Sequence, residues 1–281
     1  MDREQQATVR DSFSLRGIGI HSGQAVAVTV HPAQDGGVRF ECSRYPGVTI
    51  PACFSSVRST PRSTVLAAGD ARVATTEHLL AALSALGVDH ARVVVEGEEL
   101  PALDGSAVEY VRAILAVGRK PLDRRREPLR LRRPVWVSEG EAHLLALPAP
   151  GLRLSYVLEY PHPLVGTQVA SIAITAERFA TAVAPARTFG FLEWAEQLRA
   201  RGLALGASPE NTVVIAPDRI LAPLRFPDEF VRHKILDLVG DLALLGRPLH
   251  AHVIAVRGGH ATNIALVTQI GTDAARQMES V

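Results

Sequence analysis

Three side chains in one stretch have the types and spacing to hold a metal ion. Residues 226–246 read FPDEFVRHKILDLVGDLALLG, and within them His233, Asp237 and Asp241 fall at i, i+4 and i+8. At about 100° per residue that spacing puts them in one stripe of a helix. A histidine and an aspartate four apart let one ion take a nitrogen and an oxygen together. The same stripe also suits buried polar residues hydrogen-bonded to their neighbours, so the metal reading needs a third ligand from elsewhere. Glu77-His78 offers one, a histidine ligand beside a carboxylate base, although an acid in the first turn of a helix also serves as a simple cap. His21 in GIGIHSG, Asp104 in PALDGSA, Thr188 in ARTFGF and His260 in RGGH sit in glycine-containing loops, and each by itself is ordinary loop chemistry.

The elements that must carry these residues follow from periodicity. Pro227, Asp228 and Glu229 give a helix start, with proline in the first turn and acids at the positive end of the dipole. Gly246 followed by Arg247-Pro248 gives its stop. Phe230, Ile235, Leu236, Leu238, Val239, Leu242, Leu244 and Leu245 cover nearly every direction, which predicts a buried helix. Carboxylates in such a helix must be paired or metal-bound. A second helix is predicted from a threonine cap at 75–76 to Gly87, with Leu79, Leu80, Leu83 and Leu86 as its apolar face. Alternating stretches predict strands over 5–32, a small extra sheet over 37–74 and a strand at 91–96, followed by a helix at 106–117. The run GRKPLDRRREPLRLRRP at 118–134 reads as a solvated linker and the domain boundary. Beyond it the order repeats: three strands, an insertion near 160–182, a helix at 191–201, a strand at 212–216, the metal-type helix, a strand at 249–256 and a last helix. Two halves, each of strands and then helices, describe an internally duplicated α+β architecture.

Composition narrows the class. The chain has 281 residues, 47% of them hydrophobic and 21% charged, with a net charge of +1. That describes a globular protein with no global field for nucleic acid. Cys42 and Cys53 form no metal-type pair. The first residues, MDREQQATVR, lack the apolar segment of a signal peptide, and no run approaches the roughly 20 apolar residues that span a bilayer. The expectation is a cytoplasmic protein with at most peripheral membrane contact.

Together, GIGIHSG, TTEHLLAAL, PALDGSA, ARTFGF, HKILDLVGDLALLG and GGHATN resemble the UDP-3-O-acyl-N-acetylglucosamine deacetylases, zinc enzymes of lipid A synthesis, in the family's order and from about residue 6 to 265. The resemblance implies an α+β fold of two similar domains, 1–122 and 129–281, each a sheet layered against two helices with the site between them. It implies a small β insert near 41–74 and a β-α-β-type insert near 160–182, the second helping to form an apolar passage for the substrate's acyl chain. By matching position, His78, His233 and Asp237 would be zinc ligands, with iron able to take the same place. Glu77 would be the general base, His260 the charged histidine that serves the oxyanion or the leaving amine, and Thr188 an oxyanion donor. Asp241, one turn beyond Asp237, would pair with His260 and keep it protonated. Lys234, Phe189, Tyr160, His21 and Ala207 would touch substrate, with Asp104 close by.

Two positions depart from the family pattern: Ala207 stands where many members have a second glycine, and Tyr160 where phenylalanine is expected. The reaction implied is hydrolysis of the N-acetyl group of an acylated UDP-sugar by a monomer, the committed step of lipid A synthesis. The rival readings are the same zinc amide chemistry on another N-acetylated sugar nucleotide, a non-catalytic binding protein on this scaffold, and a nucleic-acid module, which only the basic run suggests.

Overall fold

Strict alternation of buried and half-exposed positions along Arg153–Tyr160 and Leu249–Val256 marks strands with one face on a core and one toward solvent. The same logic builds two sheets, seen in a computed structural model that describes residues 4–279. In chain order the first half contains β1 (Gln5–Val9), β2 (Phe13–Ile18), β3 (Ala25–Pro32), β4 (Val38–Cys42), β5 (Thr49–Pro51), β6 (Val57–Ser59), β7 (Val65–Ala68), β8 (Ala71–Val73), α1 (Glu77–Leu86), β9 (Ala91–Glu96) and α2 (Val108–Val117). The second half contains β10 (Arg119–Arg125), β11 (Leu129–Arg130), β12 (Val135–Glu139), β13 (Ala142–Pro148), β14 (Arg153–Tyr160), β15 (Gly166–Ala173) and α3 (Ala176–Arg178), which runs on into a π-turn. It ends with β16 (Phe189–Phe191), α4 (Ala195–Ala200), β17 (Val213–Ile215), α5 (Glu229–Ala243), β18 (Leu249–Val256) and α6 (His260–Glu279).

The two main sheets share one topology. Their strand orders are β2-β3-β9-β4-β5 and β12-β13-β18-β14-β15. In each, two hairpins are joined by a late central strand that runs antiparallel to the first hairpin and parallel to the second. A helix precedes that central strand and another follows it, so α1 corresponds to α5 and α2 to α6. The duplication expected from element order is therefore present in strand pairing.

α1 and α5 meet at Gly240. A Cβ built on that residue would lie 2.1 Å from the Glu77 carbonyl oxygen, so only glycine lets the two backbones approach this closely. α5 is apolar all round, as its sequence predicts, and Phe230, Val231, Ile235, Leu236 and Leu238 are fully buried.

Several expectations need correction. β4 and β5 belong to the main sheet, and the small extra sheet is β6-β7-β8 alone. Segment 160–182 forms no β-α-β unit: β15 is an edge strand paired antiparallel to β14. The parallel strand–helix–strand unit lies further on, where β16 pairs with β17 across α4. The basic run is largely exposed but not a free linker, since β10 pairs antiparallel with β1 and β11 pairs parallel with β18. These pairings join residues more than a hundred positions apart, which local composition does not register. Thr76 sits at the N-cap of α1 without a side-chain cap bond; its hydroxyl donates to the Thr64 carbonyl instead. Gly87 does end that helix, at a φ of 75°.

Candidate metal centre and its cavity

Helical spacing on α5 and the first turn of α1 bring three ligand-type side chains together. His78, His233 and Asp237 are all buried, and one donor atom from each lies within 4.8 Å of the others. Asp237 Oδ1 is 3.4 Å from His233 Nε2 and 3.6 Å from His78 Nε2. The His233 Nδ1 atom faces the Ala186 carbonyl at 3.1 Å, which places the ring proton on Nδ1 and leaves Nε2 as a free lone pair. Burial lowers the His233 pKa to about 4, so its imidazole is neutral, the form that ligates. Burial alone would raise Asp237, but Lys234 and His233 hold it well below the usual carboxylate range. Lys234 Nζ donates to Asp237 Oδ2 at 2.6 Å. Two imidazole nitrogens and one carboxylate oxygen, buried and convergent, fit a divalent ion of the zinc type.

A carboxylate–imidazole pair stands beside this cluster. Glu77 Oε1 lies 3.7 Å from His260 Nε2, and burial raises the Glu77 pKa. His260 is the first residue of α6. Its Nδ1 donates to Asp241 Oδ2 at 2.8 Å, and Asn263 Nδ2 donates to the same oxygen at 2.8 Å. Burial works to lower the His260 pKa, but the Asp241 and Glu77 carboxylates outweigh it and push the value up to about 9. Asp241 lies behind His260 and is fully buried.

Both groups face a cavity of about 550 Å³ whose walls include Glu77, His78, Lys234, Asp237 and His260. Thr188, Phe189, Tyr160, His21 and Ala207 also line it. One arm is apolar, walled by Phe191, Leu192, Trp194, Leu198, Val214 and Leu221. An aromatic cluster supports that arm: Phe191 and Trp194 lie 4.4 Å apart, and Tyr160 and Phe191 5.2 Å. Phe189 lies 4.8 Å from Phe230 and 6.3 Å from the His233 ring, so it also flanks the candidate metal cluster.

The loops that hold these residues are tied by buried polar groups. The Glu99 carboxylate accepts from the amides of His21 and Ser22 and from the Thr75 hydroxyl. One side chain thereby fixes the GIGIHSG turn and Thr75, whose φ of 58° is strained for a β-branched residue. Burial lowers the His21 pKa. Asp104 is not on the cavity wall; it accepts from Ser106 and Arg225. Next to it, the Gly105 carbonyl accepts the Thr188 amide at 2.8 Å, so the PALDGSA turn positions Thr188. Glu229, read above as a dipole-complementing acid, has no solvent exposure. It accepts from the Arg187 guanidinium and from the amides of Arg187 and Arg225. The sequence reading passed over Thr64, Glu99 and Asn263. An acid in a strand-end pair such as Glu98-Glu99, and a polar residue one turn beyond His260 on the same helix face, were the available signals.

A buried two-histidine, one-carboxylate set beside a glutamate–histidine pair, at the floor of a part-apolar cavity, is the constellation of a metallohydrolase. A family model describing UDP-3-O-acyl N-acetylglycosamine deacetylases matches residues 6–272, and the chain belongs to this family of metal-dependent hydrolases. It is 42% identical over 280 residues to the UDP-3-O-acyl-N-acetylglucosamine deacetylase of Nitratidesulfovibrio vulgaris, covering 98% of this chain and 91% of that one. It is 44% identical over 270 residues to the protein of the same name from Thermosynechococcus vestitus, covering 94% and 93%. The like-named protein of Leptospira biflexa is 40% identical over 263 residues, covering 92% and 87%. Among the described residues no helix is long and apolar enough to cross a membrane.

Proposed function

We propose that the protein hydrolyses the N-acetyl group of a UDP-3-O-acyl-N-acetylglucosamine, releasing acetate and the free amine, as a zinc enzyme at the committed step of lipid A synthesis. The observation that carries this reading is the coincidence, in one cavity, of the His78/His233/Asp237 cluster, the Glu77–His260 pair and the apolar arm. An amide is a poor electrophile with a poor leaving group, so its hydrolysis needs a base for water, donors for the oxyanion and an acid for the amine. His78, His233 and Asp237 would hold zinc, or ferrous iron in the same place, and the ion would supply Lewis acidity toward the acetamide carbonyl and water.

The chain's own side chains do the rest. Glu77 takes the proton of the attacking water through Oε1, since its other oxygen is held by the Thr64 amide. His260, charged at neutral pH, stabilises the oxyanion and passes its Nε2 proton to the leaving nitrogen. Thr188 donates a hydrogen bond to the oxyanion. Lys234 keeps Asp237 ionised and presents its ammonium to substrate oxygens. The apolar arm takes the 3-O-acyl chain, Ala207 narrows its path, and Tyr160 and His21 meet the sugar-nucleotide portion. The substrate places this work in the cytoplasm, carried out by a monomer.

A substrate panel tests the reading against zinc amide chemistry on another N-acetylated sugar nucleotide. Turnover that needs a 3-O-acyl chain and peaks at one chain length supports it. Equal turnover of UDP-N-acetylglucosamine without the acyl group moves the assignment to the rival.

A further inference from the structure

Glu77 and His260 reach the site from different helices, one from each half of the chain, yet one residue touches the supports of both. Thr64 lies in the hairpin loop between β6 and β7, is completely buried, and uses every polar atom it has. Its amide donates to Glu77 Oε2 at 3.0 Å. Its hydroxyl donates to Asp241 Oδ1 at 2.6 Å and lies 3.2 Å from His260 Nδ1. Its carbonyl accepts the Thr76 hydroxyl at 3.2 Å, at the N-cap of α1.

The geometry points to Thr64 as the positioning residue that sets the base and the acid of the reaction against each other, an inference that rests on the hydrolysis proposed above. Two consequences follow from its bonds. Glu77 has one oxygen tied back by the Thr64 amide, so only Oε1 is free to face His260. Asp241 accepts the Thr64 hydroxyl on one oxygen and His260 and Asn263 on the other. The hydroxyl therefore fixes the carboxylate plane, and the carboxylate fixes the imidazole. A short hydroxyl–carboxyl bond holds geometry well, and outer partners of this sort typically change activity by about 10–100-fold when removed.

The test uses the zinc-loaded, full-length enzyme and UDP-3-O-acyl-N-acetylglucosamine. Thr64→Val keeps the volume and the amide and removes the hydroxyl; Thr64→Ser keeps both polar groups. The expected result is a kcat lower by about 10–100-fold in Thr64→Val, with KM and bound zinc unchanged and activity restored to within about threefold in Thr64→Ser. In the Asp241→Asn background Thr64→Val should cost little more, because both changes act on one unit. Wild-type kcat in Thr64→Val, a Thr64→Ser enzyme as slow as Thr64→Val, or full additivity with Asp241→Asn each overturns the inference. If Thr64→Val does not fold, Thr64→Ala, which also keeps the amide and removes the hydroxyl, takes its place against Thr64→Ser, with the same expected and overturning results. No turnover by the wild type overturns the proposed reaction, and this inference with it.

Discussion

His260 is held in its charged form by a neighbour, and that has a measurable consequence. Burial opposes the charge, and the carboxylates of Asp241 and Glu77 raise the pKa to about 9 from an ordinary 6.5. A proton donor with that pKa is loaded at neutral pH and empties as pH rises through about 9. The kcat/KM profile of the wild type should therefore fall on the alkaline side near pH 9, and Asp241→Asn should move that limb toward neutrality by about one unit or more. An unmoved alkaline limb in Asp241→Asn contradicts the pairing. The sign for stability is the same: a raised pKa contributes fully below the unfolded value of 6.5 and is lost as pH rises through about 9. Thr64 and Glu99 show why residue types alone did not reveal the supports. Their partners lie 177 positions away for the Thr64–Asp241 bond and 78 for the Glu99–His21 bond; Glu99 offered only its place in an acid pair, and Thr64 has no type or spacing that advertises chemistry.

At the scale of elements, the His233–Asp237–Asp241 stripe of α5 was legible because a helix converts i, i+4 spacing into one face. The pairing of α5 with α1 was not legible, because it depends on a glycine whose reason is another helix's backbone. Gly240→Ala tests that crossing. By helix propensity alone alanine should stabilise by about 1 kcal/mol. Here its Cβ would meet the Glu77 carbonyl oxygen at 2.1 Å, and backbone does not move aside cheaply. The expected outcome is a net loss of about 1–3 kcal/mol, read by thermal or urea unfolding. Weaker zinc retention should accompany it, since His78 is on one helix and His233 and Asp237 on the other. Gly151→Ala, with nothing within 4 Å, is the control; equal behaviour of the two variants contradicts the account. Glu229 makes the second element-scale prediction. It ties the start of α5 to the loop carrying Thr188 and Phe189 through Arg187, and the side chains are 0% and 11% exposed. Glu229→Gln should lower unfolding stability by about 3–5 kcal/mol, because it leaves a buried guanidinium without its counter-charge. A urea midpoint within error of the wild type rules that role out.

At the scale of the whole molecule, two similarly wound halves meet so that neither holds the site alone. The first half supplies Glu77, His78 and Thr64, and the second supplies His233, Asp237, Asp241 and His260. Element order along the chain made the duplication legible without any residue-level repeat, since hairpins, a helix and a late central strand appear twice. The basic run at 118–134 was misread because its partners, β1 and β18, lie far along the chain, and its charges are solvated whether or not it pairs. The parallel unit carrying Phe189 and Trp194 was misplaced for a related reason. β17 falls inside the strand expected at 212–216, but its partner β16 is three residues long, too short for alternation to announce it. The account joins the two halves through one metal-assisted hydrolysis, so the most direct measurement is free amine released from UDP-3-O-acyl-N-acetylglucosamine by purified protein. It should be made with and without chelator, after zinc is returned, and beside Glu77→Ala. The expected result is turnover abolished by the chelator, restored by zinc, and lower by at least about 100-fold in a Glu77→Ala enzyme that still binds zinc. A folded, zinc-loaded protein with no turnover at any acyl length, or turnover indifferent to chelator and to Glu77, would contradict it.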